Sequence, residues 1–171
     1  MQTLKLKEGK TIAISVIEKL NPFVGKIEAV GSIRRNKPEI HDVDILLIPN
    51  GNLSMVYENM NDLDYNCIVQ GIKTARFIAR ENKVVGDYFI GCPQVDLYFA
   101  TSENYEMLRF VRTGSKEHNI KIAYLAKRKG WHINFDGEGL FDKDNIRIAG
   151  DTEESIFQAL ELPYKNPEER Q

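Results

Sequence analysis

The 171-residue sequence has no apolar run long enough to span a bilayer. It also lacks a charged-then-apolar leader, since its opening Met-Gln-Thr-Leu-Lys-Leu-Lys is too polar for one. A cytosolic protein without a membrane partner is expected, or one of a host's cytoplasm or nucleus if the chain is viral. Cysteine is scarce: Cys67 and Cys92 have no CxxC spacing and no nearby histidine to complete a zinc site. Free thiols in a reducing compartment are expected rather than a disulfide. Repeats and low-complexity tracts are absent. So is an excess of one charge: the net value of -2 excludes a global attraction to nucleic acid, and any such attraction must come from local patches. What is present is 42% hydrophobic content with mixed charge, enough for a real core in one ordinary domain or two small ones sharing an interface.

Two stretches carry the chemistry. His41-Asp42-Val43-Asp44-Ile45-Leu46-Leu47-Ile48 reads as a strand closed by Pro49 and the turn signal Asn50-Gly51. Residues two apart on a strand share a face, so Asp42 and Asp44 would set two carboxylates side by side. Like charges that close ask for a cation, and Mg²⁺ suits one or two carboxylates with water and substrate phosphates completing its shell. Just upstream, Ala29-Val30-Gly31-Ser32-Ile33-Arg34-Arg35 reads as a strand end entering a short helix. Gly31 would let a ligand approach the backbone, Ser32 would cap the helix, and its free N–H groups beside an arginine would hold an anion. Either half alone could be a plain turn or a solvated acid. Together, at this spacing, they read as phosphoryl or nucleotidyl transfer.

Along the chain, residues 9–20 form an amphipathic helix on Ala13, Val16, Ile17 and Leu20, ended by Asn21-Pro22. Strands are expected at 26–31, 42–48, 66–70, 73–79 and 94–99, and short helices at 32–36 and 52–63. In the last strand Asp96 stands alone between Val95 and Leu97, where burial of an isolated carboxylate is costly unless it belongs to a site. Helices follow over 103–111, stopped near Thr113-Gly114, and over 115–129, ended by Gly130. Between 107 and 132 seven basic residues, among them Lys116, Lys121, Lys127 and Arg128, face one acid, Glu117. Beside a nucleotidyl-transfer site, that excess fits a surface following a phosphate backbone.

Gly31-Ser32 with Asp42-x-Asp44 resembles the nucleotidyltransferase superfamily of the DNA polymerase beta kind. Thr113-Gly114-Ser115 with Asn119, then Lys129-Gly130-Trp131-His132-Ile133-Asn134 and Gly139-Leu140-Phe141, resembles the thumb of the polymerase X family. So do Asp151-Thr152-Glu153-Glu154-Ser155-Ile156-Phe157, Leu160-Glu161-Leu162-Pro163-Tyr164 and Pro167-Glu168-Glu169-Arg170. The resemblance runs from about residue 25 to the C-terminus, in a minimal palm-plus-thumb form. It implies an α+β fold: a palm with a mixed β-sheet and flanking helices over 1–101, then a small α/β thumb over 102–171. It implies template-directed DNA nucleotidyl transfer that fills short gaps, with two Mg²⁺ ions for which Mn²⁺ substitutes. Asp42 and Asp44 would bridge both ions, and Asp96 would bind the ion carrying the attacking hydroxyl. Ser32 and Arg35 would meet the outer phosphates, Thr113-Gly114 the sugar, and Asn119 the minor-groove edge of the incoming base. Lys116, Lys121, Lys127 and Arg128 would hold gapped or primer-template DNA, bound by a monomer together with a deoxynucleoside triphosphate.

The sequence departs from the family pattern in places. No amino-terminal lyase domain or fingers are expected. Val111-Arg112 replaces a Tyr-Phe pair that helps exclude ribonucleotides, Ala123 replaces an arginine against the templating base, and Gln94 replaces an arginine two residues before the third aspartate. Sugar selectivity and fidelity are thereby left open. Two rival readings stand: a template-independent or small-molecule nucleotidyltransferase, and an inactive DNA-binding scaffold with a relic site.

Overall fold

The computed structural model describes residues 3–85, 88–90 and 93–170. The elements run β1 (Leu4–Lys5), α1 (Leu6–Leu20), β2 (Val24–Ala29), α2 (Gly31–Arg34), β3 (Glu39–Ile40), β4 (Val43–Pro49), α3 (Ser54–Asp62), β5 (Tyr65–Gln70), β6 (Thr74–Ala79), β7 (Lys83–Val85), β8 (Tyr88–Ile90) and β9 (Gln94–Phe99). Then come α4 (Tyr105–Thr113), α5 (Lys116–Arg128), β10 (His132–Asn134), β11 (Gly139–Phe141), β12 (Arg147–Ala149) and α6 (Glu153–Ala159).

The main sheet has the order β2-β4-β9-β6-β5. It is mixed: β4 and β9 run parallel and the other neighbours antiparallel. Strand alternation sorts its faces. Val43, Ile45 and Leu47 of β4, Val95, Leu97 and Phe99 of β9, and Ala75, Phe77 and Ala79 of β6 join one core. Ile12, Ala13, Val16 and Leu20 of α1 and Val56 and Met60 of α3 complete it. The opposite face is left to Asp44, Asp96, Tyr98 and Arg76, and to Leu46, which packs with Val30, Tyr105 and Leu108 under α4.

The C-terminal part has its own core, built from Met107, Phe110, Ile122, Leu140, Ile156 and Phe157. A three-stranded sheet, β10-β11-β12, covers it. The Ser115 hydroxyl accepts from the His118 N–H at 3.0 Å and caps α5, and Gly130 closes the helix with a φ of 76°.

Nine of the ten elements expected from the sequence fall within two residues of their positions, while β1, β3, β7, β8, β10 to β12 and α6 carry no expectation there. The exceptions have local causes. Helix α1 begins at Leu6 rather than Gly9, because the Glu8 carboxylate accepts from the Lys5 N–H at 2.7 Å and secures a turn that has no apolar periodicity. Strands β1 and β3 pair over only two residues each, too short for an alternation to register. Cys67 is an exposed free thiol, and Cys92 lies outside the described residues.

One polar cluster joins the two parts. Glu153, 2% exposed, accepts from Arg34 of α2 at 2.5 and 3.1 Å and from the fully buried Arg170 at 2.8 Å. The Arg170 guanidinium also lies over the rings of Phe110, Phe157 and Tyr164. These two cations hold the Glu153 carboxyl down to about 2, from an ordinary 4.5. Glu153→Gln leaves both guanidiniums uncompensated and should cost about 3–5 kcal/mol in urea unfolding at neutral pH. A depressed carboxyl contributes fully above its unfolded value, so the gap between wild type and variant should stay constant above pH 4.5 and close as pH falls toward 2.

Candidate active site

Strand register builds the acidic cluster. Asp44 on β4 is paired with Asp96 on β9, and Asp96 is paired in turn with Arg76 on β6, so the three lie in one line across the sheet. Asp42 sits in the bend just before β4 rather than on the strand, yet its carboxylate joins the other two. One carboxylate oxygen from each of Asp42, Asp44 and Asp96 lies within 4.8 Å of the others. Burial and the neighbouring Asp42 charge push the Asp44 carboxyl up to about 7, and burial with the Asp96 charge raises Asp42. A cluster of oxygen donors with excess negative charge fits a hard divalent cation.

Arg76, Gln94 and Tyr98 hold this cluster, and of the three only Gln94 stands out in the sequence, as a departure from the family pattern. Arg76 donates through Nε and Nη2 to the two oxygens of Asp96 at 2.9 and 2.8 Å. Gln94 adds a bond to Oδ1 at 3.2 Å. The Tyr98 hydroxyl donates to Asp44 Oδ1 at 3.0 Å, and Arg112 lies 4.3 Å over the Tyr98 ring. Tyr98 is visible in sequence only as the next residue on the Asp96 face, two positions along β9.

Gly31 is needed for a reason different from the expected one. Its φ is 59°, and a β-carbon there would stand 2.0 Å from Asp44 Oδ2. The glycine therefore lets the entrance of α2 lie against the carboxylate, and the Val30 N–H donates to the Asp44 carbonyl at 2.9 Å. Ser32 does not cap the helix: Val30 holds the cap position, Ser32 is the second residue of α2, and its buried hydroxyl has no hydrogen-bond partner.

A cavity of about 420 Å³ opens beside the cluster, lined by Gly31, Ser32, Arg35, Lys37, Glu39, Ile40, His41, Asp42, Asp44, Tyr98, Val111, Arg112 and Gly114. The Ser32 hydroxyl, Arg35 Nε and Arg112 Nε are buried there without partners. Three orphaned donor groups beside an acidic cluster suit an anion that arrives with a cation.

Two expected contacts face elsewhere. Thr113 is fully buried, its hydroxyl accepting from Arg34 at 2.6 Å and its carbonyl from Arg35 at 2.5 Å. The Asn119 amide donates to the Val111 carbonyl at 2.8 Å, which folds the side chain back on α4. Neither lines the cavity, whereas Gly114 does. Lys116, Lys121, Lys127 and Arg128 are exposed on α5.

Residues 109–171 match the family model described as DNA polymerase beta thumb. The repair DNA polymerase X of African swine fever virus (strain Badajoz 1971 Vero-adapted) is 31% identical over 150 residues, which cover 84% of this chain and 80% of the viral protein. The chain belongs to DNA polymerase family X. A Bacillus subtilis relative, the DNA polymerase/3′-5′ exonuclease PolX, is 27% identical over 94% of this family X chain and 27% of its own length. The fold matches Leishmania infantum polymerase beta, crystallised as a ternary P/T complex, with a TM-score of 0.82 at 21% identity, covering 99% of this chain and 77% of that one.

Gly31→Ala would force an L-residue into the left-handed region and drive its methyl into Asp44. A loss of at least about 1–2 kcal/mol is expected in denaturant unfolding.

Proposed function

We propose that this chain is a template-directed, gap-filling repair DNA polymerase, with a palm over 1–101 and a thumb over 102–171. The observation that carries the reading is the in-register acidic cluster beside a cavity with orphaned donors, in a chain of family X. The separate apolar core of the C-terminal part and the thumb match support the division.

The substrates are a deoxynucleoside triphosphate and gapped or primer-template DNA, bound by one copy of the chain. Asp42, Asp44 and Asp96 hold two Mg²⁺ ions, or Mn²⁺ in their place. When bound, these ions would supply Lewis acidity that eases loss of the primer hydroxyl's proton and positive charge against the departing pyrophosphate. The remaining work belongs to the protein. Asp96 accepts the proton of the attacking hydroxyl. The Ser32 hydroxyl and Arg35 hold the outer phosphates, with Gly31 keeping the start of α2 close to Asp44. Arg35 already donates to the carbonyls of Thr113 and Gly114, at 2.5 and 3.3 Å, so the phosphate side of the cavity and its sugar side are tied by one side chain. For Asn119 to reach a base edge it must leave the Val111 carbonyl. Lys116, Lys121, Lys127 and Arg128 follow the DNA backbone.

The test is single-nucleotide addition to a labelled primer in a one-nucleotide gap, with each deoxynucleotide against each template base. Addition should follow the template and fall about a hundredfold or more in Asp42→Ala, Asp44→Ala and Asp96→Ala alike. Template-indifferent addition would favour a terminal-transferase-like enzyme, and no addition a small-molecule acceptor or a relic site. DNA affinity should fall steeply with salt, and each of Lys116→Ala and Lys127→Ala should reduce the slope of log K against log salt by about 1.

A further inference from the structure

The carboxylate of Asp96 is held from the side opposite its two acidic neighbours. Arg76 reaches both of its oxygens at once, at 2.9 and 2.8 Å, the fork-on-fork geometry that fixes a carboxylate in plane as well as in place. The anchor of this contact is backbone pairing: β6 and β9 are antiparallel with Arg76 directly opposite Asp96, while β4 brings Asp44 opposite Asp96 on the other side. Exposure is unequal. The Asp96 side chain is 6% exposed and that of Arg76 is 44% exposed, so the carboxylate is fixed while the guanidinium borders solvent and has room to withdraw.

Two cations therefore have a claim on the same carboxylate. The Asp96 oxygen that approaches Asp42 and Asp44 within 4.8 Å belongs to a group whose two oxygens already accept from Arg76. A carboxylate has lone pairs for both partners, but a divalent ion entering the cluster meets a neighbouring positive charge and a carboxylate already oriented.

We propose that Arg76 is a positioning residue for Asp96: it sets the plane of the carboxylate for the reaction and opposes the entry of a divalent cation at that carboxylate. This rests on the reading of Asp96 as a cation ligand. Removing the guanidinium should therefore have opposite effects on two quantities. Cation binding should tighten, because a positive neighbour is gone. Turnover should fall, because Asp96 is no longer held in plane.

The test is Mn²⁺ titration of the full chain without nucleotide, followed by the electron paramagnetic resonance signal of the free ion. It compares wild type, Arg76→Ala, Arg76→Lys and Asp96→Asn, with steady-state addition on one-nucleotide gaps alongside. Arg76→Ala should bind Mn²⁺ about threefold to tenfold more tightly and lose about tenfold in kcat, with the KM for the deoxynucleotide within about twofold of wild type. Arg76→Lys keeps the charge but not the fork, so Mn²⁺ affinity should return to near the wild-type value while kcat stays low. An Mn²⁺ affinity in Arg76→Ala equal to or below wild type overturns the proposal, as does an unchanged kcat. Asp96→Asn separates the two readings. If it weakens Mn²⁺ binding while Arg76→Ala has no effect, the role of Arg76 fails alone. If it leaves Mn²⁺ binding untouched, the reading of Asp96 as a ligand fails and this proposal falls with it.

Discussion

A single buried anion holds the two parts of this molecule in register. Glu153 lies between the guanidiniums of Arg34 and Arg170, with almost no exposure to water. Burying three charges is tolerable only because each carboxylate oxygen meets a guanidinium. What the cluster fixes is the place of α2. Arg34 is the last residue of that helix and Gly31 the first, so the contact to the C-terminal part and the contact to Asp44 lie one turn apart. Arg35 adds a second tie, to the backbone at Thr113 and Gly114. One short helix and the residue after it thus touch both Asp44 and the C-terminal side of the cavity.

The acidic cluster depends on a different device, the register of three strands. Asp44, Asp96 and Arg76 fall in line because the parallel β4–β9 ladder and the antiparallel β9–β6 ladder meet at Asp96. Behind them lies a continuous apolar face packed on α1 and α3, which cannot slip by one residue without turning the carboxylates into the core. The core therefore specifies the site as well as supporting the fold. Tyr98 and Arg112 extend the arrangement toward the cavity: a hydroxyl on Asp44, and a cation on the ring that carries it.

Periodicity made the main elements legible in the sequence, because α1, β4, β6 and β9 each bury one face against one core. Asp42, Asp44 and Asp96 could be picked out as a set from residue type, strand context and family resemblance, and the structure brings their carboxylates together. Side-chain partners were harder to read. Arg76 lies on a different strand from Asp96, and only the β6–β9 pairing puts them opposite each other. Arg34, Glu153 and Arg170 come from three separated segments, and no local pattern announces their meeting. Ser32 looked like a cap because Gly-Ser before a helix usually is one. Here the positive φ of Gly31 starts the helix a residue earlier and leaves the hydroxyl without that task. The family resemblance gives Thr113 a sugar contact and Asn119 a base contact, while within the fold Thr113 accepts from Arg34 and Arg35 and the Asn119 amide N–H donates to the Val111 carbonyl.

The parallel pairing of β4 with β9 has a consequence for how the protein acquires its activity. Parallel neighbours need a crossover, and here it contains α3, the β5–β6 hairpin and the β7–β8 ribbon. Strand β9 lies between β4 and β6, so it pairs on both sides. A fold that relies on contacts between residues so distant in the chain forms slowly. Asp96 joins Asp42 and Asp44 only through this non-local pairing, so opening at β9 takes it out of the cluster. Completing the acidic cluster therefore requires completing the sheet.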